Sequence, residues 1–486
     1  MAILITSPGL VTTGTEGADD IRFITGGSLT GNGSVVNGLD GNDTITTNAS
    51  GVLTRSAAQI GAGVSIDAGG GADSVSIFIS GSTQSAENAI ILGGAGSDTI
   101  SVGAASGIAA FSNVDGGEGA DSITIATAAY SAIAGGAGND TVNLTGSVLL
   151  TTGASINLGA GNDIISGSVT TQTAAGILGG DGADTITITT VGNSGSFVNG
   201  DDTVNGGGAD VISVTNQGVA TIVRGKGGAD TITITNLAGS AVVAGNAGGD
   251  VITVSGTFAD DAAIKAGQGG DMLKLDVAAS LAGTSGEMIG GGGKDTIMIA
   301  DTVLDNSTVT MNGGAGVDSI TFSGTINTNT NLGVLGISNM GDSKVGAMDT
   351  VDITGLAAGN ASIGFEVVTP ISLASAATLG KMADLAVTGA TGFTTAVGQS
   401  GAVLSGAMSF SGQASASVAT AATYADAATR AASGTSQGRA VMFTAGSDEY
   451  LFVQGGAAGT DDDYVVKFNG TDGSTITGTT VILGAD

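Results

Sequence analysis

The chain is 486 residues long and carries 43 acidic against 12 basic side chains, a formal net charge of −31. That balance excludes nucleic acid and bare anionic lipid as partners on electrostatic grounds, and the absence of both His and Cys removes Ser-His-Asp triads, thiolate nucleophiles and soft-ligand metal sites. Eighty-eight glycines, no Trp and 3% aromatic residues leave material for a thin aliphatic core, one that offsets the ordering entropy of so much glycine poorly by itself.

Read from the amino terminus, Met1-Ala2-Ile3-Leu4-Ile5-Thr6 is a short apolar strand suited to capping a sheet or to donation to another copy. The stretch has neither a basic n-region nor a long apolar h-region, so Sec-type export is not expected. No run in the chain reaches the length of a transmembrane helix, so membrane insertion is not expected either. Residues 1–34 are assigned to an N-terminal capping or assembly segment.

From residue 35 to residue 354 the chain repeats itself. Thirteen aspartates each close a glycine turn and open an aliphatic strand: Asp43, Asp73, Asp98, Asp121, Asp140, Asp163, Asp184, Asp210, Asp230, Asp250, Asp271, Asp295 and Asp318. With each taken as position 0, Gly stands at −2 and Ile, Val or Leu at +2 in all thirteen, and Val, Ile or Met stands at −7 in twelve. In the typical unit Gly179-Gly180-Asp181-Gly182-Ala183-Asp184, the Gly at −2 marks a positive φ or a close backbone approach. The Thr185-Ile186-Thr187-Ile188 that follows alternates with the period of a half-buried strand. A second apolar stretch such as Gly176-Ile177-Leu178 precedes each turn, so a repeat reads as strand, far turn, strand, aspartate turn. No repeat covers its own apolar face, and a mean spacing of about 23 residues therefore predicts a solenoid of stacked coils.

Aspartates stacked at the strand spacing of about 4.8 Å repel one another unless cations intervene. The turns offer oxygen donors alone, from carboxylates and main-chain carbonyls, and these suit a hard cation with six or more ligands, which selects Ca2+. One Ca2+ in each gap between successive turns adds about +24 to the formal −31 and leaves an ordinary surface charge. Metal-free Asx turns are the plainer account of a single Gly-x-Asp, but not of thirteen stacked copies. All thirteen aspartates are therefore candidate calcium ligands, and ion binding is expected to supply much of the folding free energy.

These residues resemble the RTX (repeats-in-toxin) calcium-binding β-roll, whose motif is Gly-Gly-x-Gly-x-Asp followed by x, a large apolar residue and x. The resemblance implies a right-handed parallel β-roll. In that family aspartate turns line both edges, whereas here the aspartate recurs once per coil. Calcium along one edge is therefore expected, with far turns of varying length, such as Val191-Gly192-Asn193-Ser194-Gly195, along the other. Leu39, Lys226 and Asn246 replace the second Gly of the motif and Leu158 the first, so weaker sites are expected there.

After a degenerate turn at Gly346-Ala347-Met348-Asp349-Thr350-Val351 the pattern fades, and residues 355–486 are read as a separate C-terminal region. Ser415 to Ala432, dense in alanine, is the one expected helix. The strand-like runs are Arg439 to Phe443, Glu449 to Val453 and Tyr464 to Phe468. The segment Asp448-Glu449-Tyr450-Leu451-Phe452-Val453-Gln454-Gly455-Gly456, with Asp461-Asp462-Asp463-Tyr464-Val465-Val466-Lys467-Phe468, is similar to the C-terminus of RTX-type surface-layer proteins of Gram-negative bacteria. That resemblance implies an uncleaved type I secretion signal. The fold class expected is all-β: a parallel β-roll, or β-solenoid, with a β-rich C-terminal region carrying one short helix.

The expected function is an extracellular structural protein that self-assembles in a calcium-dependent way into a surface layer or filament. Its partners are copies of itself, the type I secretion machinery and, as a further candidate, cell-surface polysaccharide. No enzyme is expected, because the acids lie almost entirely in turns and strand acids such as Asp276 show no partner for paired-carboxylate hydrolysis. An ice-binding or adhesive solenoid is the alternative, since Ser or Thr fills 19 of the 26 positions at +1 and +3. Ile164, Val211, Val251 and Met272 interrupt that column.

Overall fold

The computed structural model describes residues 2–5, 11–23, 35–46, 64–79, 90–104, 111–126, 129–171, 173–192, 194–202, 207–276, 285–300 and 308–323, and beyond these Met348 and a set of short strands between residues 335 and 482. Two compact units, 1–247 and 248–486, divide the chain. Both are built on parallel β-ladders in which each strand pairs with its counterpart one coil later.

In the first unit the strands that follow the aspartates stack with Ile45, Val75, Ile100, Ile123, Val142, Ile165, Ile186, Ile212 and Ile232 in register. The strands that precede the aspartates stack likewise through Val36, Ile66, Ile91, Val114, Ile133, Ile156, Ile177, Val198, Val223 and Val243. Every one of these side chains is at most 1% exposed, so two columns of β-branched residues face each other along the coils. Full burial of each contributes about 1.5–3 kcal/mol, and β-branched residues suit the pleated, packed face. The second unit repeats the arrangement with Ile252, Leu273, Ile297 and Ile320 in one column and Ile264, Met288 and Met311 in the other.

The ladder starts before residue 35. Ala2–Ile5 pairs with Asp20–Phe23, which pairs with Thr44–Thr46, and Val11–Thr13 pairs with Val35–Asn37, all parallel. The segment read as a cap thus contributes strands of the same solenoid.

The far edge is more regular than its sequence suggests. Gly153, Ala174, Gly195, Ala220, Ser240 and Asp261 adopt left-handed φ between 53° and 79°, each followed by a small buried residue: Ala154, Ala175, Ser196, Thr221, Ala241 and Ala262. The Asp210 coil is longer than its neighbours. Strand pairing places Val198, twelve residues before that aspartate, in the inward column.

At the end of the second unit, residues from the C-terminal region pair with the last coil. Thr350–Asp352 pairs parallel with Tyr464–Asn469, and Ser362–Glu366 pairs antiparallel with Thr480–Ile482. Tyr464–Asn469 continues antiparallel to Asp448–Val453 and then to Ala440–Ala445, over a small core of Leu451, Phe452, Val465, Val466 and Phe468. The helix expected from Ser415 to Ala432 lies outside the described residues. Among the described residues no helix is long and apolar enough to cross a membrane.

Candidate metal centre

Each aspartate turn is built by two glycine constraints. At −2 the backbone takes φ between 108° and 141° in the coils from Gly41 to Gly316 where it is left-handed. A Cβ at Gly161 would drive into the carbonyl of Gly138 in the coil before, so only glycine fits. At −4 the left-handed requirement is softer: Leu39, Lys226 and Asn246 meet it with φ of 73°, 83° and 84°, and the turn keeps its shape at these three departures from the motif.

In the turn the aspartate carbonyl still accepts a ladder hydrogen bond from the next coil, but its N–H finds no ladder carbonyl, and the carboxylate of the next coil takes it instead. Asp73 Oδ1 accepts the N–H of Asp43 at 2.6 Å, Asp98 that of Asp73 at 2.7 Å, and Asp121 that of Asp98 at 2.7 Å. Asp140, Asp163, Asp184, Asp210 and Asp230 repeat the contact at 2.7–2.9 Å. In the second unit Asp271, Asp295 and Asp318 do the same. The structure thus brings the predicted residues into one file per unit, Asp43 to Asp230 in the first and Asp250 to Asp318 in the second, each no more than 3% exposed.

The other oxygen is where a cation fits. At Asp43, Asp73, Asp98, Asp121, Asp140, Asp163, Asp184, Asp210, Asp271 and Asp295, Oδ2 is buried and meets no donor. A buried carboxylate oxygen left this way is costly. It does not stand by itself: a Cβ placed on Gly93 would strike both Asp98 Oδ2 and the carbonyl of Gly116, and the same pairing of carboxylate and next-coil carbonyl recurs at Gly38, Gly116, Gly135, Gly179 and Gly290. Two oxygens therefore converge on a cradle that any side chain at that glycine would fill. Among the described residues no three acidic side chains converge on one point, so a cation here draws on main-chain carbonyls beside the carboxylate, a donor set that suits Ca2+.

The electrostatics agree. Burial, reinforced by the charges of neighbouring aspartates and opposed by the hydrogen bond from the preceding coil, pushes the carboxyls of Asp73, Asp121 and Asp140 up to about 6. Asp163, Asp184 and Asp295 rise to about 6 for the same leading reason. Burial first, and then the charges of Asp201, Asp230 and Asp184, push Asp210 up to about 8. Burial also raises Asp43, Asp98 and Asp271. Keeping such a carboxylate ionised costs on the order of 3 kcal/mol for a shift from 3.8 to about 6, a cost that a bound divalent cation removes.

Two features escaped the sequence pattern. Asp19 occupies the same position one coil earlier, its N–H donating to Asp43 Oδ1 at 2.8 Å. Gly17 at −2 and Ile21 at +2 mark it, but Thr12 replaces the aliphatic residue at −7. Oxygen-bearing side chains also stand at −6 in five coils, Asn37, Asp67, Asp115, Asn157 and Asn312, with Leu92 and Ala134 between some of them. Asn157 and Asn312 present buried Oδ1 atoms without donors, and Asp115 raises the carboxyls of Asp121 and Asp140 by its charge. The recurring Asn or Asp six residues before the aspartate was the available signal.

No family model and no curated protein matches the chain. Among solved structures it is similar to the X-ray crystal structure of a hyperactive, Ca2+-dependent, beta-helical antifreeze protein from an Antarctic bacterium, at 18% identity over 70% of this chain and 83% of that one, with a TM-score of 0.28.

Proposed function

We propose that this protein is a calcium-folded, non-catalytic extracellular scaffold that packs with copies of itself into a surface layer or filament. The observation that carries the reading is the file of buried carboxylate oxygens without donors, set beside a main-chain carbonyl of the next coil at Asp43, Asp98, Asp121, Asp140, Asp184, Asp210 and Asp295. Such a file is self-repelling without cations, and millimolar calcium is an extracellular resource. Calcium then acts twice: it rigidifies the coils and lowers the −31 charge that opposes close packing. Export through a type I system by way of residues 439–486 accompanies this reading, on the resemblance of that tail. Sedimentation and electron microscopy of the purified protein, with millimolar calcium and with EGTA, provide the test. Ordered assemblies that form in calcium and disperse in EGTA support it, and a monomer at high concentration in calcium refutes it.

One observation favours a second reading, an ice-binding or adhesive face. In the first unit the +1 residues Thr44, Ser74, Thr99, Ser122 and Thr141 stand in register and exposed. Beside them Thr46, Ser76, Ser101 and Thr124 continue the array at +3. Neither column carries a charged residue between Thr44 and Thr233. Thermal hysteresis in calcium, abolished by Ser101→Tyr, would support this face over the scaffold.

A further inference from the structure

The position −4 column of the first unit is glycine from Gly69 to Gly180, and then carries Asp201 and Lys226 on adjacent coils. Asn199 pairs with Arg224 two residues earlier, so Asp201 and Lys226 occupy equivalent places on neighbouring strands. Opposite charges in register on parallel strands attract. Only three Lys or Arg residues occur between residues 35 and 247, namely Arg55, Arg224 and Lys226. Two of them stand on this one strand, and Lys226 accepts a left-handed φ of 83° where glycine fits without strain.

The same step departs from the hydrogen-bond pattern of its neighbours. Along the coils before it, the N–H at −2 donates to the −3 carbonyl of the next coil: Gly119 to Ala137, Gly138 to Ala160 and Gly161 to Asp181, at 2.6–2.8 Å. At the Asp210 coil the bond runs backwards, from Gly208 N–H to Gly182 O at 3.0 Å. Asp201, 1% exposed, takes over the joining: its Oδ1 accepts from Gly208 N–H at 3.3 Å and its Oδ2 from Gly227 N–H at 3.2 Å. Lys226 Nζ reaches back across the same step and donates to the main-chain oxygen of Asp202 at 2.8 Å. The step is thus joined by the Asp201 carboxylate at Gly227 and by the Lys226 ammonium at the Asp202 carbonyl, a cation supplied by the chain.

We propose that Lys226 is a tethered counter-ion which, with Asp201, holds the step between the coils of Asp210 and Asp230 together without calcium. The proposal rests on the reading of the aspartate edge as calcium-binding. It makes this step the one that survives when calcium is withdrawn, a fixed point from which neighbouring coils re-form.

Hydrogen exchange read by mass spectrometry on the full-length protein, in calcium and in EGTA, tests it. In EGTA the peptides carrying Gly208 and Gly227 should keep at least tenfold more protection than those carrying Gly138 and Gly161. Lys226→Gly, which restores the residue that the column carries elsewhere, should fold in calcium yet lose that protection in EGTA. Lys226→Arg should retain it. Equal loss of protection at all these steps in EGTA overturns the proposal while leaving calcium binding intact. Full protection everywhere in EGTA, with no calcium bound, overturns both.

Discussion

At the scale of single residues, the aspartate carboxylate has two separable duties. Oδ1 replaces a lost ladder acceptor for the coil before, and Oδ2 faces the cradle. Asp184→Ala removes both, leaving the Asp163 N–H without its 2.8 Å acceptor. A destabilisation of about 1–3 kcal/mol from that group is expected, with weakened calcium binding on both sides of the turn. Asp276→Ala should leave calcium stoichiometry unchanged, because Asp276 pairs with Lys274 on the half-exposed outer face at 2.7 Å. Calorimetric calcium titration of the two variants distinguishes them, and equal effects would remove the aspartate file from the site. A pH dependence follows from the raised carboxyls. A group whose folded value lies above its unfolded value stabilises the fold when protonated, so in chelator stability should be greatest below about pH 4 and fall as pH rises through about 6, with Asp210 lost last at about 8. Calcium binds the ionised form, so its stabilising effect should grow across that same window. Melting curves between these limits, with EGTA and with calcium, carry the test. A metal-free melting temperature that rises from pH 4 to pH 8 would contradict it.

At the scale of elements, each solenoid strand has its partners one coil away, so the last coil presents unpaired backbone unless something covers it. In the second unit Tyr464–Asn469 and Thr480–Ile482 pair with Thr350–Asp352 and Ser362–Glu366, and the turn to antiparallel pairing ends the growth of the ladder. Truncation before Ala440 should therefore expose both edges. The refolded truncation in calcium is expected to aggregate and to be cleaved by protease within residues 308–366 first. A soluble truncation with unchanged proteolysis would mean that these strands do not cap. Retention of the same truncation inside the producing cell would separately support a type I signal in the tail.

At the scale of the whole molecule, the aliphatic columns are thin and the glycine content is high, so ordering entropy and buried carboxylates stand against a modest core. Chelation is expected to remove most of the β signal in circular dichroism and calcium to restore it cooperatively, since each coil depends on its neighbours. An unchanged spectrum and melting curve in EGTA would show that the columns of Ile and Val suffice by themselves.

The sequence alone determined the repeat, its strand-turn-strand order and the thirteen aspartates, because glycine at −2 and an aliphatic residue at +2 are local requirements that every coil must meet. It also marked the inward columns, since period-two alternation is a property of single strands. Tertiary structure decided what depends on the neighbouring coil. Asp19 joins the file because Asp20–Phe23 pairs with Thr44–Thr46, although the residue at −7 breaks the pattern. Val198 takes its place in the core because pairing, and not spacing, absorbs the extra length at Asp210. The meeting of Asp201 with the coil of Lys226, 25 residues on, was invisible in the chain because an inserted stretch hides equivalent positions until the strands are laid in register. The orphaned Oδ2 atoms belong to the same class: a sequence shows which carboxylates recur, and only the packed coils show which oxygen is used by the protein and which is left for a cation.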